Sequence, residues 1–369
     1  MIRVVHVLTR TNIGGPSVML VDLLDGLDRD RFTQSVVRGA PVASEGDYLA
    51  GRAISAEVIT VGDLRRSLGV VGEIRSLFAL VGTLRRLRPD IVHTHMAKAG
   101  VIGRIAAVIA RVPVRVHTYH GHLLHGYFSP LITRAFTAIE RLLRAVTTHA
   151  LVVGAATRRD LLQARVVNEQ RSSVILPATK PMKRHDKAQA RATLGLPVHG
   201  VMIGFVGRLT GIKRPDRFVR LAAAVPHATF VVVGNGPLHD DTRRDAAALT
   251  NVMFLDWHDD VSLVFAALDV VALTSDNEGV PLSLIEAAAA GVPVVSTNVG
   301  GVKEIVEHDV TGLVVRDEQA LADSVKRLVD DTALREAMSR RAPVHIAERC
   351  SMQRYLSDHA SLYERLTQH

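Results

Sequence analysis

Two glutamates in one short segment have the spacing that most directly predicts chemistry. Glu278 and Glu286 lie eight positions apart in TSDNEGVPLSLIEAAAAGVPVVSTNVGG, which runs from residue 274 to residue 301. An apolar, strand-like run precedes the segment, Pro281 suits the first turn of a helix, and Gly291 suits its end. The pattern predicts one carboxylate at the mouth of a cleft and a second about a turn and a half further along the helix, able to reach the same cleft.

The start of that helix is a candidate anion site. The backbone N–H groups of Leu282 and Ser283 would point beyond the strands, and a helix N-terminus favours an anion such as a diphosphate. The alternative is that Glu278 only interacts with the helix dipole and that Glu286 is a solvated helix residue.

Two cations form a second candidate. Arg208 and Lys213 follow the apolar run VMIGFVG in a glycine-containing loop. A guanidinium fork and a point charge at the carboxyl end of a strand are what a diphosphate requires. The alternative is a solvated charge pair before a helix, which is the interpretation favoured for Arg214 and Arg217.

A glycine pair near the start of the chain is a third candidate. Gly14 and Gly15 separate the first predicted strand from the first predicted helix. They would let the backbone approach a ligand or adopt a positive φ, and a tight turn without a ligand is equally compatible with the pattern. The chain has no GxxxxGK[ST] phosphate loop.

Histidines are dense in the first half of the chain. We expect His93 and His95 to alternate faces of their strand, and neither a nearby cysteine nor an HExxH pair supports them, so no metal site is predicted. His120 ends a strand just before Gly121, where a neutral imidazole could hydrogen-bond a substrate hydroxyl. The six histidines within 33 residues are His93, His95, His117, His120, His122 and His125.

Composition narrows the class of protein. The 369 residues predict two domains, and 47% hydrophobic with 22% charged residues is globular. The formal charge is 45 − 37 = +8, but 38 of the 45 basic residues are arginine, no basic run exceeds two residues, and only 15 residues are aromatic. A nucleic-acid partner is therefore not expected.

Cysteine usage and apolar runs indicate the compartment. Cys350 is the only cysteine, so no intrachain disulfide can form. No run of 18 uncharged apolar residues occurs, and the N-terminus has no basic leader or cleavage site. We expect a cytoplasmic protein without a transmembrane helix.

Short apolar runs alternate with helical patterns along the whole chain. Runs covered on both faces and separated by helices predict two doubly wound parallel sheets, hence an α/β fold with two Rossmann-like domains. A proline-rich, charged stretch at 176–197 predicts the boundary. We therefore expect domains at 1–176 and 177–344, with a helix over 345–369 that packs back on the first domain. The predicted strands are 2–8, 56–61, 90–95, 114–120, 149–154, 201–207, 228–234, 251–256, 269–275, 293–298 and 312–315.

These motifs together resemble the retaining nucleotide-sugar glycosyltransferases of the GT-B fold, in their large fourth family. The similarity spans nearly the whole chain and rests on the Glu278 and Glu286 spacing combined with Arg208 and Lys213. The matching segments are TNIGGPS, DIVHTHMAKAG, VHTYHGHLLHGYFSP, VGRLTGIKRPD, VVVGNGP, ALDVVALTSDNEGVPLSLIEAAAAGVPVVSTNVGGVKEIV and DVTGLVV. In the linker, ILPATKP departs from the family pattern, which puts hinge behaviour and contacts from Thr179 in doubt.

The resemblance implies a role for each matching position. Arg208 and Lys213 would hold the donor diphosphate, Glu286 the ribose hydroxyls, and Glu278 the sugar near the reacting carbon. His120 would contact the donor sugar and stabilise the transition state. Such a cleft, between the two domains, would need no metal and no cofactor. The phosphate and nucleotide contacts would be completed by Gly14, Gly15, Gly234, Asn235, Leu282 and Ser283.

The resemblance also implies the reaction and leaves alternatives open. We expect transfer of a hexosyl or N-acetylhexosaminyl group from a nucleotide diphosphate sugar, most often a UDP-sugar, to a glycan, lipid-linked or small-molecule acceptor. A nucleotide-sugar epimerase of the same fold and a non-catalytic sugar-nucleotide binder are the alternatives.

One helix bears on where the protein works. The stretch 129–149 places Leu131, Phe136, Ile139, Leu142 and Leu143 among three arginines, Arg134, Arg141 and Arg144. This pattern is typical of an interfacial helix on anionic lipid, and equally of a core-facing helix with a basic solvent face. We hypothesise peripheral association with the inner face of the cell membrane.

Overall fold

The computed structural model describes residues 1–41, 46–64, 69–121, 124 and 129–368, and the backbone alone of Val70. The chain divides into two compact units: unit 1 is Met1–Pro177 with Gln353–His369, and unit 2 is Ala178–Met352.

Unit 1 is a seven-stranded parallel sheet with the strand order β3-β2-β1-β4-β5-β6-β7. The order reverses next to β1, as in a doubly wound fold. Its elements are β1 Ile2–Leu8, α1 Gly15–Gly26, β2 Phe32–Arg38, β3 Glu57–Thr60, α2 Val70–Leu87, β4 Ile91–His95, α3 Ala97–Ile109, β5 Val114–Tyr119, α4 Pro130–Leu143, β6 His149–Val152, α5 Ala155–Gln163, β7 Ser172–Val174 and, from the end of the chain, α14 Met352–Thr367.

Two strands of unit 1 were not predicted. In β2, which reads FTQSVVR, polar residues interrupt the apolar run, and β7 has only three residues. β2 nevertheless pairs with β1 over seven residues, from Ile2 opposite Phe32 to Leu8 opposite Arg38. Burial on both faces of a central strand thus encloses Gln34, a polar residue that the pattern alone would place at the surface.

Unit 2 is a six-stranded parallel sheet with the strand order β10-β9-β8-β11-β12-β13. Its core contains Phe218, whose ring lies edge-on to Phe205 and Phe230 at centroid distances of 5.6 and 5.3 Å. The two units confirm the predicted α/β, doubly wound class. The elements are α6 Lys187–Thr193, β8 Met202–Val206, a 3-10 turn Gly211–Lys213, α7 Pro215–Ala224, β9 Thr229–Val233, α8 His239–Asp245, β10 Val252–Leu255, α9 Val261–Ala267, β11 Val270–Leu273, α10 Leu282–Ala289, β12 Val294–Thr297, α11 Val302–Ile305, β13 Gly312–Val315, α12 Glu318–Asp330 and α13 Thr332–Arg349.

The returning C-terminal segment begins later than predicted. Residues 345–349 continue α13, whose buried residues include Met338 and Ile346, so they belong to unit 2. The segment that joins unit 1 starts at Gln353. There α14 buries Tyr355 and Tyr363, and Gly26 leaves room for Leu356, since a Cβ at that glycine would lie 2.5 Å from the leucine Cδ1.

Candidate active site

Four predicted site residues lie at the carboxyl edge of the unit 2 sheet, where parallel sheets bind ligands. β8 ends at Val206, and Arg208 follows after Gly207. Lys213 closes the 3-10 turn of the same loop. Glu278 follows β11, and Glu286 lies within α10, which leads away from the same edge.

Lys213 and Glu278 are brought into direct contact. The Lys213 ammonium donates to Glu278 Oε1 at 2.5 Å, and the Ser275 hydroxyl donates to the same oxygen at 2.6 Å. The Lys213 side chain is 22% exposed and that of Glu278 only 10%. The carboxylate is therefore held by two donors in a partly enclosed position, while the ammonium keeps two N–H groups for other acceptors.

The loop after β12 fixes the backbone of the glutamate. Gly300 has φ +49°, and a Cβ there would lie 1.9 Å from the carbonyl oxygen of Glu278. Gly301 N–H donates to the Gly279 carbonyl at 2.6 Å, and Thr297 Oγ1 donates to the Ser275 carbonyl at 2.7 Å. Neither Ser275 nor the glycine pair was predicted as part of the site. The glycine pair stands in the STNVGG run and Ser275 in the TSDNEG run of the same motif.

The helix after Glu278 begins one residue later than predicted. Pro281 precedes α10, and its carbonyl accepts the first helical bond, from Leu284 N at 3.1 Å. The N–H groups of Leu282 and Ser283 therefore lie in the first turn, before the helical ladder begins. The helix ends before Gly291, which has φ +77°. This start supplies two N–H donors in the first turn of the helix that follows Glu278 in the chain.

The arginines at 214 and 217 have carboxylate partners. Arg214 contacts Asp216 at 2.8 Å and Asp276 at 3.2 Å, and Arg217 contacts Asp276 at 2.5 Å. The hydrogen bond from Arg214 lowers the pKa of Asp216 to about 2. These ion pairs secure the loop that carries Lys213. A hydrogen bond also holds this loop, because Thr274 Oγ1 donates to the Lys213 carbonyl at 2.8 Å.

Gly234 and Asn235 have roles in loop packing. Gly234 has φ +126°, and a Cβ there would lie 2.2 Å from the carbonyl oxygen of Gly207. The side-chain oxygen of Asn235 accepts from Gly236 N at 2.6 Å. Gly234, together with the Asn235 carbonyl that accepts from Leu209 N at 3.0 Å, brings the loop after β9 against the loop that carries Arg208.

In unit 1, Gly14 and Gly15 lie at the start of α1 as predicted. The Gly14 carbonyl accepts from Ser17 N at 3.0 Å, and Gly15 is the first helical residue. Gly14 is extended, with φ 164°, and an added Cβ would meet only Asn12 Nδ2, at 3.8 Å. Neither backbone strain nor crowding within unit 1 therefore requires glycine at position 14.

The expectation that His93 and His95 alternate faces is wrong. Side chains two positions apart on a strand project to the same face, and the two rings lie 4.2 Å apart by centroid. His6 of β1 lies beside them, with its ring 5.4 Å from that of His93. One ring nitrogen of each lies within 4.8 Å of the others, the spacing of a metal-ligand group. His122 and His125 lie outside the described residues.

Hydrogen bonds within unit 1 occupy this histidine cluster. His93 pairs with Tyr363 Oη and with Thr118 Oγ1, each at 2.6 Å. Burial lowers the pKa of His6 to about 4 and holds that of His93 well below its ordinary value. The rings are therefore neutral at physiological pH.

His120 follows the end of β5, as predicted, and is half-buried. Burial lowers its pKa to about 4, so it is a neutral imidazole. It lines a cavity of about 240 Å³ together with Met96, Phe136 and Glu140. The cavity combines apolar side chains with a few polar groups, as small-molecule sites do.

A buried ion pair supports one wall of the cavity. Arg104 Nη2 donates to both carboxylate oxygens of Glu140 at 2.8 Å, and Tyr119 Oη donates to Glu140 Oε2 at 2.6 Å. Arg104 and Glu140 are 1% and 2% exposed. Burial, followed by the nearby carboxylate, raises the pKa of Tyr119, so the phenol keeps its proton.

The helix α4 presents apolar side chains to solvent. Leu131, Ile132, Ile139 and Leu142 are 42–76% exposed, whereas Glu140 and Leu143 are the buried residues of the helix. The interpretation of α4 as a core-facing helix with a solvated basic face is therefore wrong for most of its apolar residues. In the part of the chain that the structure describes, no helix is both long and apolar enough to cross a membrane.

Comparison with known proteins identifies the class. Residues 14–178 match the family model described as Glycosyl transferase 4-like domain, and residues 200–331 match that described as Glycosyl transferases group 1. HepE from Anabaena, crystallised with UDP-glucose, superposes with a TM-score of 0.81 at 21% identity, covering 99% of this chain and 100% of that one. The chain belongs to the glycosyltransferases of the GT-B fold.

Two curated relatives narrow the comparison. The UDP-Gal:alpha-D-GlcNAc-diphosphoundecaprenol alpha-1,3-galactosyltransferase of Escherichia coli is 26% identical over 352 residues, which cover 90% of this chain and 89% of that protein. The D-inositol 3-phosphate glycosyltransferase of Mycobacterium leprae is 33% identical over 288 residues, which cover 70% of this chain and 65% of that protein. The chain is thus similar to transferases with unlike acceptors.

Proposed function

We propose that this protein is a retaining, family 4 glycosyltransferase that moves a hexosyl or N-acetylhexosaminyl group from a nucleotide diphosphate sugar, most often a UDP-sugar. Support for the donor class comes from the galactosyltransferase relative, whose name specifies UDP-Gal, and from the UDP-glucose complex of HepE. The acceptor is a glycan, a lipid-linked sugar or a small molecule. The single observation that carries the proposal is the contact between Lys213 and Glu278 at the carboxyl edge of the unit 2 sheet.

The chemistry of the donor explains why a cation and a carboxylate belong together there. Breaking a sugar–phosphate bond develops positive charge on the sugar ring and negative charge on the departing diphosphate. Lys213 can keep its bond to Glu278 and direct its other N–H groups to the diphosphate. Glu278, positioned by Ser275, then faces the sugar hydroxyls near the reacting carbon. Arg208 and the first turn of α10 would supply the remaining phosphate donors, and Glu286 would bind the ribose.

Fixed cations and a helix N-terminus can do the work of a metal ion in stabilising a leaving diphosphate. We therefore propose that transfer needs no divalent metal and that activity persists in EDTA. Activity that disappears in EDTA and returns with a divalent ion would refute this part. Retention is proposed with the acceptor attacking from the side of the leaving group, whose oxygen takes the acceptor proton, and the anomeric configuration of the product tests it by NMR.

The experiment that tests the function separates binding from turnover. Glu278→Gln keeps the size of the side chain and removes its charge, so turnover should fall by at least tenfold while affinity for the nucleoside diphosphate changes little. Glu336→Gln, on the exposed surface of α13, is the matched control and should match the parent. Equal turnover in both variants would exclude a role for Glu278 in transfer.

The donor itself is identified by thermal stabilisation. A nucleotide sugar at 100 times its dissociation constant adds about 2.7 kcal/mol of stability. A panel of UDP-, GDP- and ADP-sugars should give its largest shift with a UDP-sugar. Donor consumption without acceptor, yielding an epimer, would instead indicate a nucleotide-sugar epimerase, and binding without any turnover would indicate a sugar-nucleotide binder.

The exposed surface of α4 supports peripheral association with anionic lipid. Its apolar side chains Leu131 and Leu142 are each 76% exposed, and three arginines lie along the same segment. Apolar groups bordered by basic ones bind an anionic interface through burial of the former and attraction of the latter. A lipid-linked acceptor, such as the one that the galactosyltransferase relative is named for, would be reached from that surface.

A further inference from the structure

A chain of hydrogen bonds in unit 1 connects buried Gln34 to His120. Gln34 Oε1 lies 3.2 Å from His6 Nε2, and His6 Nδ1 lies 3.3 Å from His95 Nε2. His95 Nδ1 in turn lies 3.1 Å from His120 Nε2. We call these four residues the histidine relay. His6, His95 and Gln34 are buried, and only its last member, His120, reaches the edge of the sheet.

The orientation of the glutamine sets the direction of the relay. Gln34 Nε2 donates to the carbonyl oxygens of Leu23 and Leu24, at 3.3 and 3.1 Å. Backbone carbonyls can only accept, so the amide cannot be turned around without losing both bonds. The side-chain oxygen therefore faces His6, and His6 Nε2 must carry the proton that it receives.

The remaining protons follow because a neutral imidazole carries one N–H. Burial keeps the pKa of His6 at about 4 and that of His95 well below its ordinary value, so both rings are neutral. With its proton on Nε2, His6 accepts at Nδ1, and His95 must donate from Nε2. His95 then accepts at Nδ1, and His120 must donate from Nε2. The lone pair of His120 is left on Nδ1.

We propose that Gln34, His6 and His95 are positioning residues that fix His120 in its Nε2–H tautomer, so that Nδ1 accepts a hydrogen bond from a hydroxyl of the sugar substrates. The identity of that hydroxyl as part of a sugar substrate rests on the proposed function, whereas the tautomer of His120 does not. Without the relay, His120 would be free to present an N–H to the same hydroxyl. The hydroxyl would then have to accept rather than donate.

A metal ion held by His6, His93 and His95 is the competing use of these rings. It would need lone pairs that the hydrogen bonds already occupy, since both nitrogens of His93 are engaged by Tyr363 and Thr118. Two rings of the relay would also have to turn away from each other. Zinc is therefore included in the test as an outcome that would overturn the relay.

The test is long-range ¹H–¹⁵N NMR of the full chain labelled with ¹⁵N-histidine, recorded without substrate. We expect His120 to show a protonated Nε2 and a bare Nδ1. His359 is an internal reference with the opposite tautomer, because its Nδ1 donates to the Tyr355 carbonyl at 2.8 Å. His120 protonated at Nδ1 would refute the proposal, as would a shift of the His6 and His95 nitrogens on adding Zn²⁺.

A variant tests whether Gln34, rather than local packing, sets the direction of the hydrogen bonds in the relay. Gln34→Met removes the acceptor that sets the direction, so both directions become comparably populated and the His120 Nε2–H signal should fall to about half, with His359 unchanged. A full-intensity Nε2–H signal in this variant would overturn the role of Gln34. The spectra are recorded without turnover, so they can refute the tautomer of His120 without bearing on the proposed function. The proposed function is tested separately, by nucleotide binding. If the variant does not fold, the parent spectrum still decides the tautomer.

Discussion

Removing the charge of Glu140 should destabilise unit 1 strongly. Arg104 would be left as a buried cation without a counter-charge, and breaking one side of a buried pair costs about 3–5 kcal/mol. Glu140→Gln keeps one carbonyl oxygen as acceptor for Arg104 Nη2, so we expect the lower end, about 3 kcal/mol. That is a large part of the roughly 5–15 kcal/mol by which domains are stable.

Equilibrium unfolding in urea, followed by far-UV circular dichroism, measures this loss. With a slope of about 1–3 kcal/mol per molar, the midpoint should fall by about 1 M or more. Trp257, the only tryptophan, lies in unit 2, so its fluorescence reports that unit separately. Replacing both partners, as Arg104→Met with Glu140→Leu, should recover much of the loss, because no unpaired charge remains.

The matched control is Glu364→Gln, which removes a carboxylate from an ion pair in the same unit. Its partner Arg31 is 50% exposed and Glu364 33% exposed, so water replaces the lost contact. We expect no resolved change in midpoint for this variant. If Glu140→Gln and Glu364→Gln shift the midpoint equally, burial is not what makes the Arg104 pair matter, and the reasoning fails.

Three further outcomes follow. Stability should fall as the pH drops from about 6.5 towards 4, because His6 binds a proton in the unfolded chain but stays neutral in the folded protein, where its pKa is about 4. A urea midpoint that is flat or rises over this pH range would contradict this expectation. Gly300→Ala should lower turnover and should lower stability by about 2 kcal/mol or more, because the new Cβ would lie 1.9 Å from the Glu278 carbonyl oxygen. Gly62→Ala is the control, since its Cβ would meet nothing within 4 Å. A Gly300→Ala variant with the stability and turnover of the parent would refute the loop contact. Leu131→Ser with Leu142→Ser should reduce sedimentation with anionic liposomes at low salt, and parent protein that sediments with neither anionic nor neutral liposomes would remove the lipid interface.

Much of the architecture could be predicted because parallel strands buried on both faces leave continuous apolar runs. All eleven predicted runs overlap strands of the structure. β2 was missed since Gln34 and its neighbours interrupt the apolar run, and only the tertiary environment shows that this glutamine is buried with partners for both ends of its amide. β7 was missed because three residues are too few to form a pattern.

The candidate site, like the fold, could be predicted only in part from the sequence. Motif spacing predicted Lys213 and Glu278, but not that they touch, because a contact between residues 65 positions apart depends on strand order. The density of histidines in the sequence points to His93 and His95, but the assignment of their side chains to opposite faces of the strand is wrong. The partners of this cluster come from distant segments: Gln34 of β2 pairs with His6, and Tyr363 of the last helix pairs with His93. No local pattern connects these residues.

Calorimetric titration of UDP into Lys213→Met tests the central claim, that the carboxyl edge of the unit 2 sheet binds the nucleotide donor. Lys187→Met is the control, since this lysine also pairs with a carboxylate, that of Asp269 at 2.5 Å, but lies on α6. A charge-assisted hydrogen bond contributes about 1.5–3 kcal/mol, so we expect Lys213→Met to bind UDP about 10- to 100-fold more weakly and Lys187→Met to match the parent. Parent-like affinity in Lys213→Met, or equal weakening in both variants, would contradict the account.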